Sequence, residues 1–377
     1  MSASVPIPIR FDPSLEHSAT NEAEIQAALV ATMRSISETT FAHSGHATRS
    51  VHAKAHGVLR GSVTVLPDLP PHLAQGMFAK PGTYDAVLRF STLPGDMLDD
   101  HVSTPRGLAV KVIGVEGERL PGSETDTTQD FVLINGPAFG AATAEAFLGN
   151  LKLLARTTDR AEGLKKVLSA VARTTEALLE AFGHRSPTIL TLGGQPLTHI
   201  LGDTFYSQAP IRYGDYIAKI AAVPVSERLT MLTGLHLDMA GRPNGLRQAV
   251  EEFFDLNDGE WEIRAQLCTD LNTMPIEDAS VAWPEDQSPY VAVARLFVPQ
   301  QNAWSAEGIK AIDEGMAFSP WHGLAAHRPL GSVMRARRPA YENSARFRAE
   351  RNGCPIHEPL ASPDAVLINA SDSSWDR

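Results

Sequence analysis

Apolar residues recur along this chain with two different periods. Ile25, Leu29, Met33 and Ile36, with Thr32 among them, fall three or four residues apart, the repeat of one helix face. Asn21 and Glu24 precede them at the spacing of a capping box. The pattern predicts a helix over residues 21–38. From residue 57 to 66 it changes to short alternation, with Val58, Leu59, Val63 and Val65 before Pro67. Residues 84–90, 107–115 and 130–133 read the same way, as β-branched strands parted by Pro and Gly turns. Residues 141–182 are rich in Ala and Leu with almost no Gly, which predicts two helices. Strand patterns return at 211–224, 260–269 and 291–298, and a helix is expected at 246–254. After about Cys354 the chain is rich in Pro and Ser and reads as a poorly ordered tail.

The strands recur without regular strand–helix alternation, so the expected class is α+β: an antiparallel sheet or barrel with helices attached. The expected division is an N-terminal arm (1–20), one main domain (21–353) and a tail (354–377). A chain of 377 residues, 43% hydrophobic and 20% charged, can bury a core large enough to enclose a cofactor. The net charge of −11 argues against a nucleic-acid partner. No apolar run reaches the ~18 residues of a membrane span. Residues 1–13 hold Pro6, Pro8 and Pro13 and no signal-type apolar segment, so a cytoplasmic protein is expected. Cys268 and Cys354 form no Cys-x-x-Cys pair and no Cys-x-x-Cys-His haem attachment site, and both read as inert thiols. The histidines form no His-x-x-x-His or His-Glu-x-x-His zinc motif.

The densest chemistry lies in Arg337-Arg338-Pro339-Ala340-Tyr341, followed by Arg346 and Arg348. Nearby cations favour the charged form of a phenol, and one use of an anionic tyrosine oxygen is as the axial ligand of a haem iron. The plainer reading is a solvated basic surface. Three further segments fall at strand ends: Arg49-Ser50-Val51-His52-Ala53-Lys54, Arg89-Phe90-Ser91-Thr92 and Asn135-Gly136-Pro137. His52 can serve as general base and then acid, Asn135 as a hydrogen-bond donor, and Arg49, Arg89 and Arg348 as forked partners for carboxylates.

Taken in this order, the segments resemble the haem catalase family. Arg49 to Lys54 resembles its Arg-x-x-His-Ala-Lys signature, and Arg89 to Thr92 its Arg-Phe-Ser-Thr strand. Pro105-Arg106-Gly107-Leu108-Ala109-Val110-Lys111 is similar to its Pro-Arg-Gly-Phe-Ala-Val-Lys segment. Asn135-x-Pro137 matches the distal Asn-x-Pro, and Arg337-x-x-x-Tyr341 the proximal signature. The resemblance runs from about Thr48 to Arg351 and is loose in the middle third. It implies a catalase-like antiparallel β-barrel with flanking helices, holding haem b (iron protoporphyrin IX). It implies His52 as the distal acid–base residue, Asn135 as its partner, Ser91 bonded to the histidine ring and Val51 over the iron. Tyr341 would be the iron ligand and Arg337 would keep it ionised. Arg49, Arg89 and Arg348 would bind the propionates. Phe139 and Phe318 are haem-contacting aromatics by the resemblance, with core packing the other reading. His322 and His327 stay open between surface and channel positions.

The chain is much shorter than an ordinary catalase, so the expectation is a minimal form lacking the C-terminal domain, similar to the small catalase-related peroxidases. A site for NADPH is not expected, and a homo-oligomer is left open. The implied activity is haem-dependent peroxidase with catalase activity, reducing hydrogen peroxide or organic hydroperoxides through a ferryl intermediate with an organic electron donor. Two alternatives remain. One is a fatty-acid hydroperoxide-transforming haem enzyme of the allene oxide synthase type, in which the residue at Val51 is typically threonine. The other is a non-catalytic haem-binding protein.

Overall fold

The computed structural model describes residues 7–93, 95, 97–155 and 195–359. Nine strands form one antiparallel sheet among them: β1 (Lys54–Val65), β2 (Gly82–Thr92), β3 (Arg106–Ile113), β4 (Thr128–Ile134), β5 (Phe205–Tyr206), β6 (Ile211–Tyr213), β7 (Tyr216–Pro224), β8 (Gly259–Leu267) and β9 (Val291–Val298). Their order is β5-β4-β3-β2-β1-β9-β8-β7-β6, and β5 also pairs with β7. That second pairing closes eight strands into a barrel, with β6 as a hairpin extension of β7. Closure removes the open edges that would otherwise invite pairing with another chain.

Alternation sorts the side chains into two layers. Leu88 and Phe90 on β2, Leu108 and Val110 on β3, Phe131 and Leu133 on β4, and Trp261 and Ile263 on β8 fill the inner core. The intervening Val87 joins Ile312, Met316 and Phe318 in a second layer, with Ala109 and Val132 packed against it. The wall formed by β2 to β4 is therefore covered on both faces, and β2 and β3 are nearly continuously buried.

Helix α1 (Glu22–Ser44) lays Ile25, Leu29, Met33 and Ile36 against Ala144, Leu148 and Leu151 of α2 (Ala144–Ala155) and against Ala336 and Ala340. The last two belong to the long C-terminal helix Ser332–Asn352. In chain order, Gly245–Phe254 is α3 and Ser332–Asn352 is α4. A π-helical turn, Ile309–Glu314, joins β9 to the cluster around Phe318.

The α+β class and the barrel agree with expectation; several boundaries do not. The capping box does not form, since the Asn21 side chain makes no cap hydrogen bond. The helix continues beyond residue 38 to Ser44, where Gly45 takes a left-handed φ of 70° and its N–H bonds the Phe41 carbonyl. The strand expected over 211–224 is the hairpin β6–β7, turned at Gly214 with φ 61°. The first expected helix of 141–182 is α2; residues 156–182 lie outside the described residues. The segment 354–359 is not loose. The His357 N–H bonds the Gly315 carbonyl, and Glu358 pairs with Lys111.

Candidate functional site

A cavity opens between the outer face of β2–β4, the loop carrying residues 49–52, α1 and α4. Helical spacing explains the contribution of α4. Tyr341, Ser344, Ala345 and Arg348 line the cavity, whereas Glu342, Arg346 and Glu350 are exposed. Pro339 breaks the backbone ladder one turn into this face by removing the N–H that would bond the Arg335 carbonyl. Arg346 is exposed and stands away from the cavity.

One guanidinium nitrogen of Arg337 donates to the Tyr341 phenol oxygen at 2.7 Å, and the guanidinium also lies over the phenol ring, 5.2 Å from its centroid. An i,i+4 pair on one helix face brings these side chains together without help from the rest of the fold. A charge-assisted hydrogen bond of this kind stabilises negative charge on the oxygen.

His52 sits across the cavity in a left-handed backbone conformation, φ 54°. Outside glycine, such a conformation costs about 1–3 kcal/mol and persists only where the surroundings enforce it. Ser91 on β2 is one such constraint, its Oγ 3.2 Å from His52 Nδ1. Gly107 on β3 is another. A Cβ there would lie 2.8 Å from both Cε1 and Nδ1 of the ring, so the imidazole occupies the space a side chain would need. With Nδ1 engaged, Nε2 is the ring nitrogen left for the cavity. Burial, then the charges of Arg89 and Arg337, push the His52 pKa down to about 3. These surroundings hold the ring in its neutral form. Val51 lines the cavity beside it.

Arg49, Arg89 and Arg348 converge on the same cavity. Their shared partner, Asp313, was not among the expected residues. Its carboxylate pairs with Arg49 and, at 2.7 Å, with Arg89 Nε. Arg348 donates to the carbonyls of Asp313, Glu314 and Met316 at 3.1, 3.4 and 3.0 Å. Burial opposes the charged form of Asp313, but Arg89 and Arg49 overcome it and hold the carboxyl far below its usual range. Burial lowers the Arg348 pKa to about 10, and the neighbouring Arg89 pushes the same way. The only signal that could have found Asp313 is an acidic residue inside the apolar pattern of Ile312, Met316 and Phe318.

Three guanidiniums around one cavity suit a ligand that carries carboxylates. Three guanidiniums and one carboxylate leave two uncompensated positive charges. The buried Arg348 Nε has no hydrogen-bond partner, nor does the buried Ser50 Oγ, and both residues line the cavity. Buried orphan donors of this kind mark the place of a missing partner. Tyr341 brings a phenol oxygen to the same cavity.

Two expected residues are placed elsewhere. Asn135 does not line the cavity. Its amide nitrogen donates to Asp203 at 3.1 Å and lies 3.5 Å from Gln195 Oε1, and its carbonyl oxygen accepts the Arg106 N–H. Arg106, whose guanidinium also pairs with Asp203, draws the amide into a buried network at the strand ends. Phe139 packs on Phe147 of α2 and on Val333 and Met334 of α4, which is core packing. Phe318 does line the cavity, and Lys111 Nζ stands 5.6 Å from its ring centroid.

The open histidines also find places. His327 is 1% exposed, accepts the Met77 N–H at its Nε2 and packs among Phe78, Phe131 and Tyr213. His322 joins Asp130 and Glu358, whose potential ligand atoms lie within 4.8 Å of one another. Lys111 Nζ already lies 2.7 Å from Asp130 and 2.6 Å from Glu358, so an ammonium supplies the positive charge that a metal would.

An eight-stranded antiparallel barrel with a cavity between its outer wall and flanking helices is a catalase-like fold. Solved structures agree. A fungal catalase matches with a TM-score of 0.57 and 18% identity over 89% of this chain and 67% of that one. Catalase A from Saccharomyces cerevisiae matches with 0.57 and 17% over 98% and 75%. A bacterial catalase matches with 0.58 and 14% over 100% and 71%. No protein-family profile and no curated protein sequence matches the chain. Among the described residues, no helix is long and apolar enough to cross a membrane.

Proposed function

We propose that this chain is a haem-dependent peroxidase with catalase activity, reducing hydrogen peroxide or organic hydroperoxides. The observation that carries this reading is a single cavity bounded by a constrained neutral histidine, His52, and by Tyr341 with Arg337 bonded to its phenol oxygen. Neither haem storage nor simple packing calls for a left-handed histidine held by Ser91 and by a glycine.

Haem b, when bound, supplies the iron that activates peroxide and the conjugated ring that stores the oxidising equivalents. The protein supplies position and charge. Tyr341 Oη is the iron ligand, and Arg337 stabilises negative charge on it. Arg49, Arg89 and Arg348 hold the propionates in forked, charge-assisted bonds. His52 would take a proton from a bound peroxide and hold it for return to the substrate's other oxygen. Ser91 fixes the ring so that Nε2 performs this transfer.

Haem titration of the protein, followed by peroxide consumption with and without an aromatic donor, tests the reading. His52→Ala is expected to keep haem and lose about 10²–10⁴-fold in peroxide cleavage. Tyr341→Phe is expected to lose the tyrosinate-ligated ferric spectrum. A wild-type protein that takes up no haem, or an unimpaired His52→Ala, sinks the assignment.

A further inference from the structure

We propose that Asp313 is an internal counter-anion of the arginine cluster, one that competes with the carboxylates of the bound cofactor and so limits its affinity. The inference rests on the haem reading above and concerns a residue to which that reading gives no role.

The arginines do not need Asp313 for their positions. Arg49 also donates to the Met316 carbonyl at 3.1 Å, and Arg89 to the Ala53 carbonyl at 3.0 Å. Arg348 reaches three backbone carbonyls and makes no ion pair with the Asp313 carboxylate. Backbone oxygens therefore hold each guanidinium in place, and what Asp313 adds is charge. Without it, three buried cations face one another. Their mutual repulsion is visible in Arg49, whose pKa falls well below its usual value through burial first and then through Arg348 and Arg89, with Asp313 opposing. Guanidiniums do not escape such repulsion by losing a proton.

Asp313 also has a way to yield. It sits in the π-helical turn Ile309–Glu314, a geometry that is strained relative to an α-helix and common at functional sites. Arg49 and Arg89 are the two cations it engages, and both line the cavity. Carboxylates arriving there meet guanidiniums that are already partly neutralised. The arrangement keeps the empty protein folded and weakens its hold on a dianionic ligand.

The test uses metal-free protoporphyrin IX and its dimethyl ester, titrated by fluorescence into wild type, Asp313→Asn and Asp313→Glu. Asp313→Asn keeps the shape and removes the charge. It should melt at a lower temperature than wild type when empty. It should bind protoporphyrin IX at least about tenfold more tightly, a lower bound for one unit charge a few ångströms away in an effective dielectric near ~20. It should bind the diester no better than wild type does. Asp313→Glu should restore wild-type affinity. Equal or weaker binding of protoporphyrin IX by Asp313→Asn would overturn the proposal, because it would make Asp313 a positioning residue. If wild type binds neither porphyrin, the haem reading falls and the counter-anion is judged by inorganic phosphate. Phosphate should raise the melting temperature of Asp313→Asn more than that of wild type, and equal shifts overturn it.

Discussion

Replacing Gly107 with alanine should disable the site while leaving the fold standing. The backbone at Gly107 does not take a positive φ, so alanine meets no conformational penalty there, and replacing glycine within a strand recovers about 0.5–1 kcal/mol. The obstacle is steric. The new methyl would lie 2.8 Å from Cε1 and Nδ1 of His52 and 3.1 Å from Ser91 Oγ. Non-bonded carbon atoms rest at about 3.5–4.0 Å, so the ring must retreat by roughly 0.7 Å or more. The Ser91–His52 hydrogen bond, already 3.2 Å long, cannot survive that movement. Its loss costs only about 0.5–1.5 kcal/mol, close to what the backbone recovers. The catalytic effect is larger, since a misplacement of about 1 Å can cost ~10²-fold in rate. Haem-loaded Gly107→Ala should thus melt within a few degrees of wild type, retain its haem and consume peroxide about a hundred times more slowly. Activity within about twofold of wild type at full haem content would refute the role given to the His52 ring.

The cluster on the outer barrel face yields two further predictions. Lys111→Met leaves the fully buried Asp130 without its lysine partner and should destabilise the fold by about 3–5 kcal/mol, read as a lower urea midpoint; an unchanged midpoint would show that the cluster is not under electrostatic load. Burial opposes the protonated form of His322, but the carboxylates of Asp130 and Glu358, 3.4 and 3.0 Å from its Nδ1, overcome it and raise the pKa to about 9. A folded pKa above the unfolded value of 6.5 gives stability that is complete below about 6.5 and lost as pH rises through 9. Wild type should lose melting temperature across that window faster than His322→Gln, and parallel curves would discard the assignment.

The parts of the site that the sequence made legible are those set by local chemistry. Arg337 and Tyr341 meet because residues four apart share a helix face, and that follows from spacing. Arg89 and Ser91 share the outer face of β2 because alternation puts them there. Asn135 misled because a motif names a residue and not the direction of its side chain; Arg106 and Asp203, distant in sequence, turn the amide away from the cavity. The segment 354–359 departs from the loose tail expected after Cys354 for a related reason. Pro- and Ser-rich composition reports weak local structure, whereas Glu358 is fixed by a buried lysine on a strand far from it in the chain.

What the sequence determined by itself was the set of elements and the types of residue available for chemistry, because hydrophobic period and helical spacing act over a few residues. It carried the antiparallel α+β class, the amphipathic α1 and the phenol–guanidinium pair of α4. Only the tertiary structure decided that β5, two residues long, closes the barrel by pairing with both β4 and β7. It also decided that the space left by Gly107 holds the His52 ring and that Asp313 faces three arginines. These are contacts between residues tens to hundreds of positions apart. Their energies come from close packing and from charge in a low-dielectric interior, and neither exists until the chain has folded.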